Sequence, residues 1–409
     1  MNISAWVLCG VLVVVAVRRI GHLHIAIWQA MSAGAAVVLL TGQIGWHEAL
    51  RAIDADVMLF LTGMFVVGQA LVDSGYLYVV AYRLFSRLRS TDGLVLALLF
   101  SSGLISALLM NDTLAIIGTP LVLRLAREHR LDPTLMLLAL AFAVTTGSML
   151  SPIGNPQNLL IAVHAHLSHP FLTFVQHLAL PGLLGLSAVY AVLRLQFRAA
   201  FHSSELVHAP VAVSDPDLAR WARRALVIVI ALILVNFALG VSVARYRLPL
   251  SAIALGGAIP ILLGSKRRWR LLREIDWRTL LFFAALFVLM ASVWRSGIVQ
   301  GVLATAPFDV TGIPGVLAVS VLLSQLISNV PLVALYLPVL HDTGAGTQTL
   351  MALAAGSTLA GNLLILGAAS NVIIVQGAER RGVRLSFAAF VRAGLPLTLL
   401  QVALVWALL

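Results

Sequence analysis

The sequence is short of charge: Asp, Glu, Lys and Arg make up 11% of its 409 residues, against roughly 25% in an average soluble domain, while 60% are apolar. So few charges cannot coat a water-soluble globule, and that class is excluded. Cysteine is nearly absent. The single Cys9 lies inside the first apolar run, which excludes internal disulfides and cysteine-based metal clusters. No basic residue precedes that run and Arg18 and Arg19 follow it, which predicts a retained first helix rather than a cleaved signal peptide. No nucleotide-binding glycine loop occurs, so ATP does not drive this chain by itself. No enzyme is expected either, because Gly147-Ser148 has no partnering base at membrane depth and no other catalytic constellation stands out.

Long uncharged runs are what the chain does have. Those at 25–46, 93–111, 225–244 and 248–265 approach the roughly 20 residues that cross about 30 Å of hydrocarbon as a helix. The reading is an all-α polytopic protein of the plasma (inner) membrane, with the lipid bilayer as its partner. The net charge of +11 does not point to nucleic acid, because almost every basic residue is an Arg in a short connection between apolar runs. Two runs, Pro133–Val163 and Thr343–Ala378, exceed one crossing by about half and carry Gly, Asn and Ser or Pro near their middles. Helices that unwind inside the membrane fit this pattern, since exposed backbone there must line a polar cavity.

The polar stretch from Ala199 to Asp217 is the one extended break in hydrophobicity, and Ser214-Asp215-Pro216-Asp217 reads as a cap opening the next helix. It divides the chain into a first repeat (1–198), a cytoplasmic linker (199–217) and a second repeat (218–409). Residues 54–75 and 276–297 align without gaps and share Asp54/Asp276, Phe60/Phe282, Phe65/Phe287 and Gly75/Gly297. Further matches are Asn111…Pro120 with Asn329…Pro338, Thr134-Leu135-Met136 with Thr349-Leu350-Met351, and Gly154…Asn158 with Gly367…Asn371. Four collinear blocks argue for an internal repeat.

Assigning alternate connections to opposite sides puts 23 of the 27 basic residues on one side, leaving only Arg51, Arg245, Arg247 and Arg295 opposite. The rich side is cytoplasmic. This works if 92–128 and 313–341 each enter and leave on one side, which predicts ten crossings with both termini extracytoplasmic. Each inverted-topology repeat then has five crossings, one re-entrant hairpin and a broken helix. The uncharged runs after the hairpin tips, Thr113–Leu123 and Val330–Leu340, are about 16 Å long as helices, or half a bilayer. Ordinary pairs of full crossings satisfy the charge count equally well, and length favours re-entry. Tyr76–Arg89 and Lys266–Asp276 read as amphipathic helices in the cytoplasmic interface.

Four polar clusters interrupt the apolar core: Asn111-Asp112-Thr113, Ser151 through Asn155, Gln157 and Asn158, then Ser328-Asn329, and Gly367 through Ser370-Asn371. Polar groups at membrane depth are costly unless they bond each other, water or a ligand. Each cluster precedes an apolar helical run and so places a helix N-terminus, with free N–H groups and partial positive charge, near the midplane. Unwound carbonyls can ligate a cation. The site suits a small anion, a coupling cation, or both, and a sodium ion would sit near Asn111, Asn155, Asn329 and Asn371. Asp112 is the only acid deep in an uncharged stretch and is the candidate to exchange a proton or neutralise a cation. Asp54, Asp56, Asp73 and Asp276 fall at helix ends and read as solvated. His164, His166, His169 and His177 read as an outer-surface cluster.

At these residues the sequence resembles the ion transporter superfamily that includes citrate-transporter-like permeases, arsenite efflux permeases, sodium/proton antiporters and divalent-anion:sodium symporters. The likeness covers nearly the whole chain. It rests on Asn111-Asp112-Thr113 followed by Pro120, on Gly154-Asn155-Pro156-Gln157-Asn158, and on the echoes Ser328-Asn329 and Ser370-Asn371. The resemblance implies a secondary active transporter with no cofactor beyond a coupling sodium ion or proton, working by an elevator motion against a homodimeric scaffold. It also implies one half-site from Asn111, Thr113, Asn155 and Asn158 and another from Ser328, Asn329, Ser370 and Asn371. Dicarboxylate symporters resemble one another in a Ser-Asn-Thr signature at both tips. This chain has Asn-Asp-Thr and Ser-Asn-Val, which looks more like the arsenite and antiporter branches. A channel or a passive scaffold fits less well, since neither needs paired broken helices.

Overall fold

A computed structural model describes residues 3–17, 19–20, 23–24, 26–85, 88, 90–165, 167–201, 213–242, 248–297 and 309–409. Most of the 199–217 linker, Arg18, Arg89, His166, Arg245 and Arg247 therefore lie outside the described residues. The fold is helical, apart from a two-residue antiparallel pairing of Arg19–Ile20 with Leu23–His24.

The first half runs α1 (Ile3–Val17), α2 (Ile27–Leu40), a short α3 (Trp46–Ala52), α4 (Ala55–Asp73) and a short α5 (Tyr76–Phe85). It continues through α6 (Thr91–Leu109) and α7 (Asn111–Glu128), then α8 (Pro133–Ser148) and α9 (Pro156–His164), to a long α10 (Pro170–Gln196). The second half has α11 (Pro216–Ser242), α12 (Leu250–Gly264), a short α13 (Arg268–Glu274) and α14 (Trp277–Arg295). After residues 298–308 come α15 (Ile313–Ile327) and α16 (Asn329–Asp342), α17 (Thr347–Leu359) and α18 (Ala369–Glu379), and α19 (Phe387–Leu408). Among the described residues α4, α6, α10, α11, α14 and α19 are long and apolar enough to cross a bilayer.

Local chemistry sets the helix starts. Asp215 caps α11 by accepting from the backbone N–H groups of Asp217 (3.0 Å) and Leu218 (3.1 Å), as Ser214-Asp215-Pro216-Asp217 predicts. The aligned Asp54 and Asp276 cap α4 and α14, accepting from Val57 N (2.9 Å) and Thr279 N (3.1 Å). These acids are not simply solvated, because they are structural caps. Asp54 also pairs with His164 Nε2 at 3.2 Å, and Asp56 accepts from Ser251 Oγ at 2.7 Å.

Two single residues turn the chain between paired helices. Met110 (φ 66°, ψ 138°) joins α6 to α7, and Ser328 (φ 72°, ψ 157°) joins α15 to α16. Positive φ with extended ψ is a region almost reserved for glycine, and it costs of order 1–3 kcal/mol per residue. The same strained turn at aligned positions marks both tips as built features. Each hairpin is longer than the uncharged run implied, because α7 continues through Arg124 and Arg127 to Glu128. Charged side chains at a helix end can snorkel, so the helix outlasts the uncharged stretch. The first tip still stops short of the far end of its neighbours. Asn111 N donates to Gly154 O at 2.8 Å, and the nine residues of α9 lie beyond that point.

The helices pack in two groups. In one, α4 packs on α12 and α14 on α2, each an exchange between halves, with α11 against α12 and α1 against α2. In the other, α6, α7 and α8 pack together, as do α15 and α17. There α18 meets α7, α16 meets α9, and α10 meets α19. Small residues allow the closest approaches, as is common where helices cross without a hydrophobic drive between them. A Cβ on Gly147 of α8 would lie 2.2 Å from both Cα and O of Gly103 on α6. Gly147→Val should therefore force these helices apart and destabilise the fold by at least about 1–3 kcal/mol, read as a lowered unfolding midpoint of the detergent-solubilised protein. An unchanged midpoint would show that the crossing is not close.

Candidate functional site

Both tips and both breaks face one cavity of about 370 Å³. Asn111 and Asp112 reach it from the first tip and Ser328, Asn329 and Val330 from the second. Pro156 and Gln157 open α9 into it, and Ala368 and Ala369 open α18. The opposite wall comes from the other group of helices, through Trp28 of α2 and Asp276, Arg278, Thr279, Phe282 and Phe283 at the start of α14. The cavity thus lies between the two helix groups. The first-turn N–H groups of α9 and α18 have no partners within their own helices, so the dipoles of both helices favour negative charge there. Arg278 adds a full positive charge at the rim, and Asp112 a carboxylate whose Oδ1 is buried without a hydrogen-bond partner.

The remaining sequence-derived positions sit behind this wall. Thr113 is turned toward α4, where it contacts Gly68: a Cβ there would lie 2.9 Å from Thr113 Oγ1. Ser151 caps the turn inside the first break, its Oγ accepting from Ile153 N at 3.2 Å. Asn155 and Asn158 are fully buried and do not line the cavity. Asn155 Oδ1 caps α9 by accepting from Asn158 N (2.8 Å), and Asn155 Nδ2 reaches Thr358 Oγ1 on α17 (3.1 Å). Asn158 Nδ2 donates to the carbonyls of Ser148 (3.2 Å) and Ser151 (3.1 Å). Ser370 and Asn371 are buried in the first turn of α18, and Asn371 Nδ2 donates to Gly361 O at 2.6 Å.

Several residues in and behind the cavity wall escape a sequence reading. Thr358 joins the two breaks, and Thr146, Asn362 and Gln401 form a second bridge: Asn362 Nδ2 donates to Thr146 Oγ1 (3.0 Å) and to Gln401 Oε1 (2.8 Å). Each is a single polar residue in an apolar helix or a polar neighbour of a break, and spacing alone does not reveal a partner some 200 residues away. Arg278, Phe282 and Phe283 belong to a helix start that composition assigns only to topology. Residues 202–212 and 298–308 contribute nothing to this description.

With that geometry in place, comparison with known proteins gives the family. The model described as "Citrate transporter" matches residues 11–349, most of the chain. The chain belongs to the citrate transporter family. An uncharacterized transporter of Mycobacterium tuberculosis is similar to this family member at 31% identity over 392 residues, covering 91% of the chain and 90% of the relative. The 46 kDa membrane protein of Mycobacterium leprae is 28% identical, with the same coverage. The human P protein is 26% identical over 97% of the chain and 58% of its own length. The family member is a multi-pass membrane transporter. Citrate is the substrate named in the family's description.

The Asn155–Thr358–Asn158 cluster makes a local prediction. Thr358→Val removes a hydroxyl that accepts from Asn155 and donates to Asn158, leaving two buried amide groups short of a partner, at roughly 1–3 kcal/mol each. The unfolding midpoint should fall clearly below that of the parent. A midpoint equal to the parent's would show that the cluster contributes no net stability.

Proposed function

We propose that this family member is a secondary active transporter of a small anion, coupled to protons or sodium and working by alternating access. The observation that carries the reading is the shared cavity: two hairpin tips and two broken-helix N-termini converge on it beside Arg278, at the seam between two groups of helices. Oriented N–H groups and a guanidinium select for an anion, and a seam can open to one side and then the other. Citrate, named in the family's description, is the first anion to test, followed by arsenite, sulfate and phosphate.

The two helix groups support an elevator-type motion. α6 to α10 with α15 to α19 would carry the site past a scaffold of α1 to α4 with α11 to α14. Counting α1, α2, α4, the α8/α9 pair and α10 as crossings, with their counterparts in the second half, gives ten spans. The exchange pairings α4–α12 and α2–α14 fit repeats related by a two-fold axis, and the basic connections fit an axis in the membrane plane. The cavity then opens at the basic, cytoplasmic ends of α2 and α14, and both termini lie outside the cell in the plasma membrane. The scaffold would pair as a homodimer.

Asp112 supports a second reading, a sodium/proton antiporter, because a carboxylate with an unpaired buried oxygen at the cavity wall can exchange a proton for a cation. Proteoliposomes containing a lumenal pH dye separate the two. Anion transport predicts a proton flux, or a sodium-dependent uptake, on adding citrate or another panel anion. An antiporter predicts dye response to sodium alone. Asp112→Asn should reduce proton-coupled flux at least tenfold in either case. Anion movement that ignores every imposed ion gradient would overturn secondary transport, and wild-type flux in Asp112→Asn would return Asp112 to a turn residue.

A further inference from the structure

The cavity described above faces one end of α9 and α16, and the other ends of the same two helices meet α14 again at a second cavity, of about 410 Å³. Leu160 and His164 of α9 and Leu335 and His341 of α16 form one wall, and Phe287 and Trp294 of α14 the other. The seam between the two helix groups therefore has a cavity at each end. At the second, an ion pair crosses the seam. His164 Nε2 meets Asp54 Oδ2 at 3.2 Å, joining the last residue of α9 to the N-cap of α4. Arg124–Glu128, Arg194–Asp92, Arg267–Asp215 and Arg295–Glu48 each stay within one group.

Geometry fixes the charge on the ring. His164 Nδ1 lies 3.1 Å from Leu160 O, so both ring nitrogens point at oxygens that can only accept. A neutral imidazole has one N–H and would set its other lone pair against an oxygen, whereas the imidazolium donates to both. Asp54 is equally committed, since Oδ1 caps α4 through Val57 N (2.9 Å) while Oδ2 takes His164. The side chain of His164 is 41% accessible, which lets water deliver and remove the proton.

The other elements bring few charges to this ring. Of the helices packed on α9, α4 carries Asp54 and Asp56 at this end, the latter held by Ser251 Oγ, and α17 has no titratable side chain. α16 carries Tyr336, which donates to Val310 O, and ends in His341 and Asp342. On α14, whose Phe287 ring lies 6.1 Å from that of His164, Arg295 is paired with Glu48 and Arg278 belongs to the first cavity.

The second repeat differs at the same positions. Asp276 is the counterpart of Asp54, and at the spacing of the aligned breaks Gly377 is the counterpart of His164. Asp276 Oδ2 takes the hydroxyl of Thr279 in its own helix (2.6 Å), and Asp276 lines the first cavity. One of the two aligned ends is thus tied across the seam and the other is not.

We propose that His164 is a proton-binding site that controls the seam: with a proton on its ring it ties α9 to α4 and holds the conformation described here, and without that proton the group carrying α9 is released from the scaffold. The proposal rests on the alternating-access reading above, by which this end of the seam faces outside the cell. It links conformation to external pH in one direction. The tied state holds one proton more than the released state, so acid favours it and alkali favours release, and by reciprocity each release sheds a proton.

Distances between two spin labels, measured by pulsed electron–electron double resonance on protein in lipid nanodiscs, test this. The labels go on His47→Cys in α3 of the scaffold and Gln348→Cys in α17 of the other group, both exposed, in a Cys9→Ser background. From about pH 5 to about pH 8, where a histidine exchanges its proton, the share of molecules at the tied separation should fall at least about threefold, with a slope of no more than one proton. His164→Gln and Asp54→Asn should each abolish this dependence, the second while keeping an N-cap acceptor for Val57 N. Asp112→Asn should retain it. Wild-type distances that ignore pH overturn the proposal. So does a response that survives in either His164→Gln or Asp54→Asn, which assigns the proton to another group such as His341 or Asp342, and so does its loss in Asp112→Asn, which moves the proton to the first cavity. A pH-dependent distance without coupled flux in proteoliposomes sinks the transport reading and leaves the proton site standing, and coupled flux with pH-blind distances does the reverse.

Discussion

Within hydrocarbon a polar atom has no water to fall back on, and this constraint organises the whole molecule. Backbone groups meet it by staying helical wherever the chain touches lipid. The places where the chain leaves the helix, at Met110, Ser328 and the two breaks, are gathered inside the protein, where each supplies what another needs. Asn111 N is satisfied by Gly154 O, and the amide of Asn155 by hydroxyls from α8 and from α17. Among the buried oxygens without a protein partner are Asp112 Oδ1 and, at the second break, Ser370 Oγ and Asn371 Oδ1.

The same constraint explains why breaks and tips come as coupled pairs. An unwound segment exposes carbonyls and N–H groups at both of its ends, and a tip held against it covers one set while leaving the other facing the cavity. Two positive-φ residues at aligned positions show that the turns are held by their surroundings rather than by local preference, since neither is glycine.

Much of this was legible in the sequence, for a physical reason. A polar residue in a long apolar run contradicts the surrounding pattern, so Asn111, Asp112, Asn155, Asn158, Ser328, Asn329, Ser370 and Asn371 stand out in the sequence, and of these Asn111, Asp112, Ser328 and Asn329 line one cavity. Their individual roles were not. Asn155 and Asn158 have the composition of ligands and are structural clamps, because the hydroxyl that satisfies them comes from Thr358 in the other half. Gln325 and Gln401 were overlooked because one amide in an apolar helix is a weak signal without its partner. The length of the hairpin arms was underestimated because uncharged runs measure composition, while α7 carries Arg124 and Arg127 as part of the same helix. Asp54 read as solvated from its position at a helix end, but an N-cap is also a helix end, and the two look alike until the N–H of Val57 is in view.

Gln401, 255 residues after Thr146, has a consequence for how the chain is made. Its side chain closes the bridge between Thr146 and Asn362, donating to Thr146 Oγ1 at 2.9 Å and accepting from Asn362 at 2.8 Å. Thr146 enters the bilayer long before Gln401 is synthesised. Thr146 and Asn362 can bond each other before then, but the third member of the bridge is missing from the membrane until α19 arrives. A chain lacking α19 would retain most of its apolar packing yet expose this polar seam to lipid, the kind of feature by which a membrane quality-control protease can recognise it.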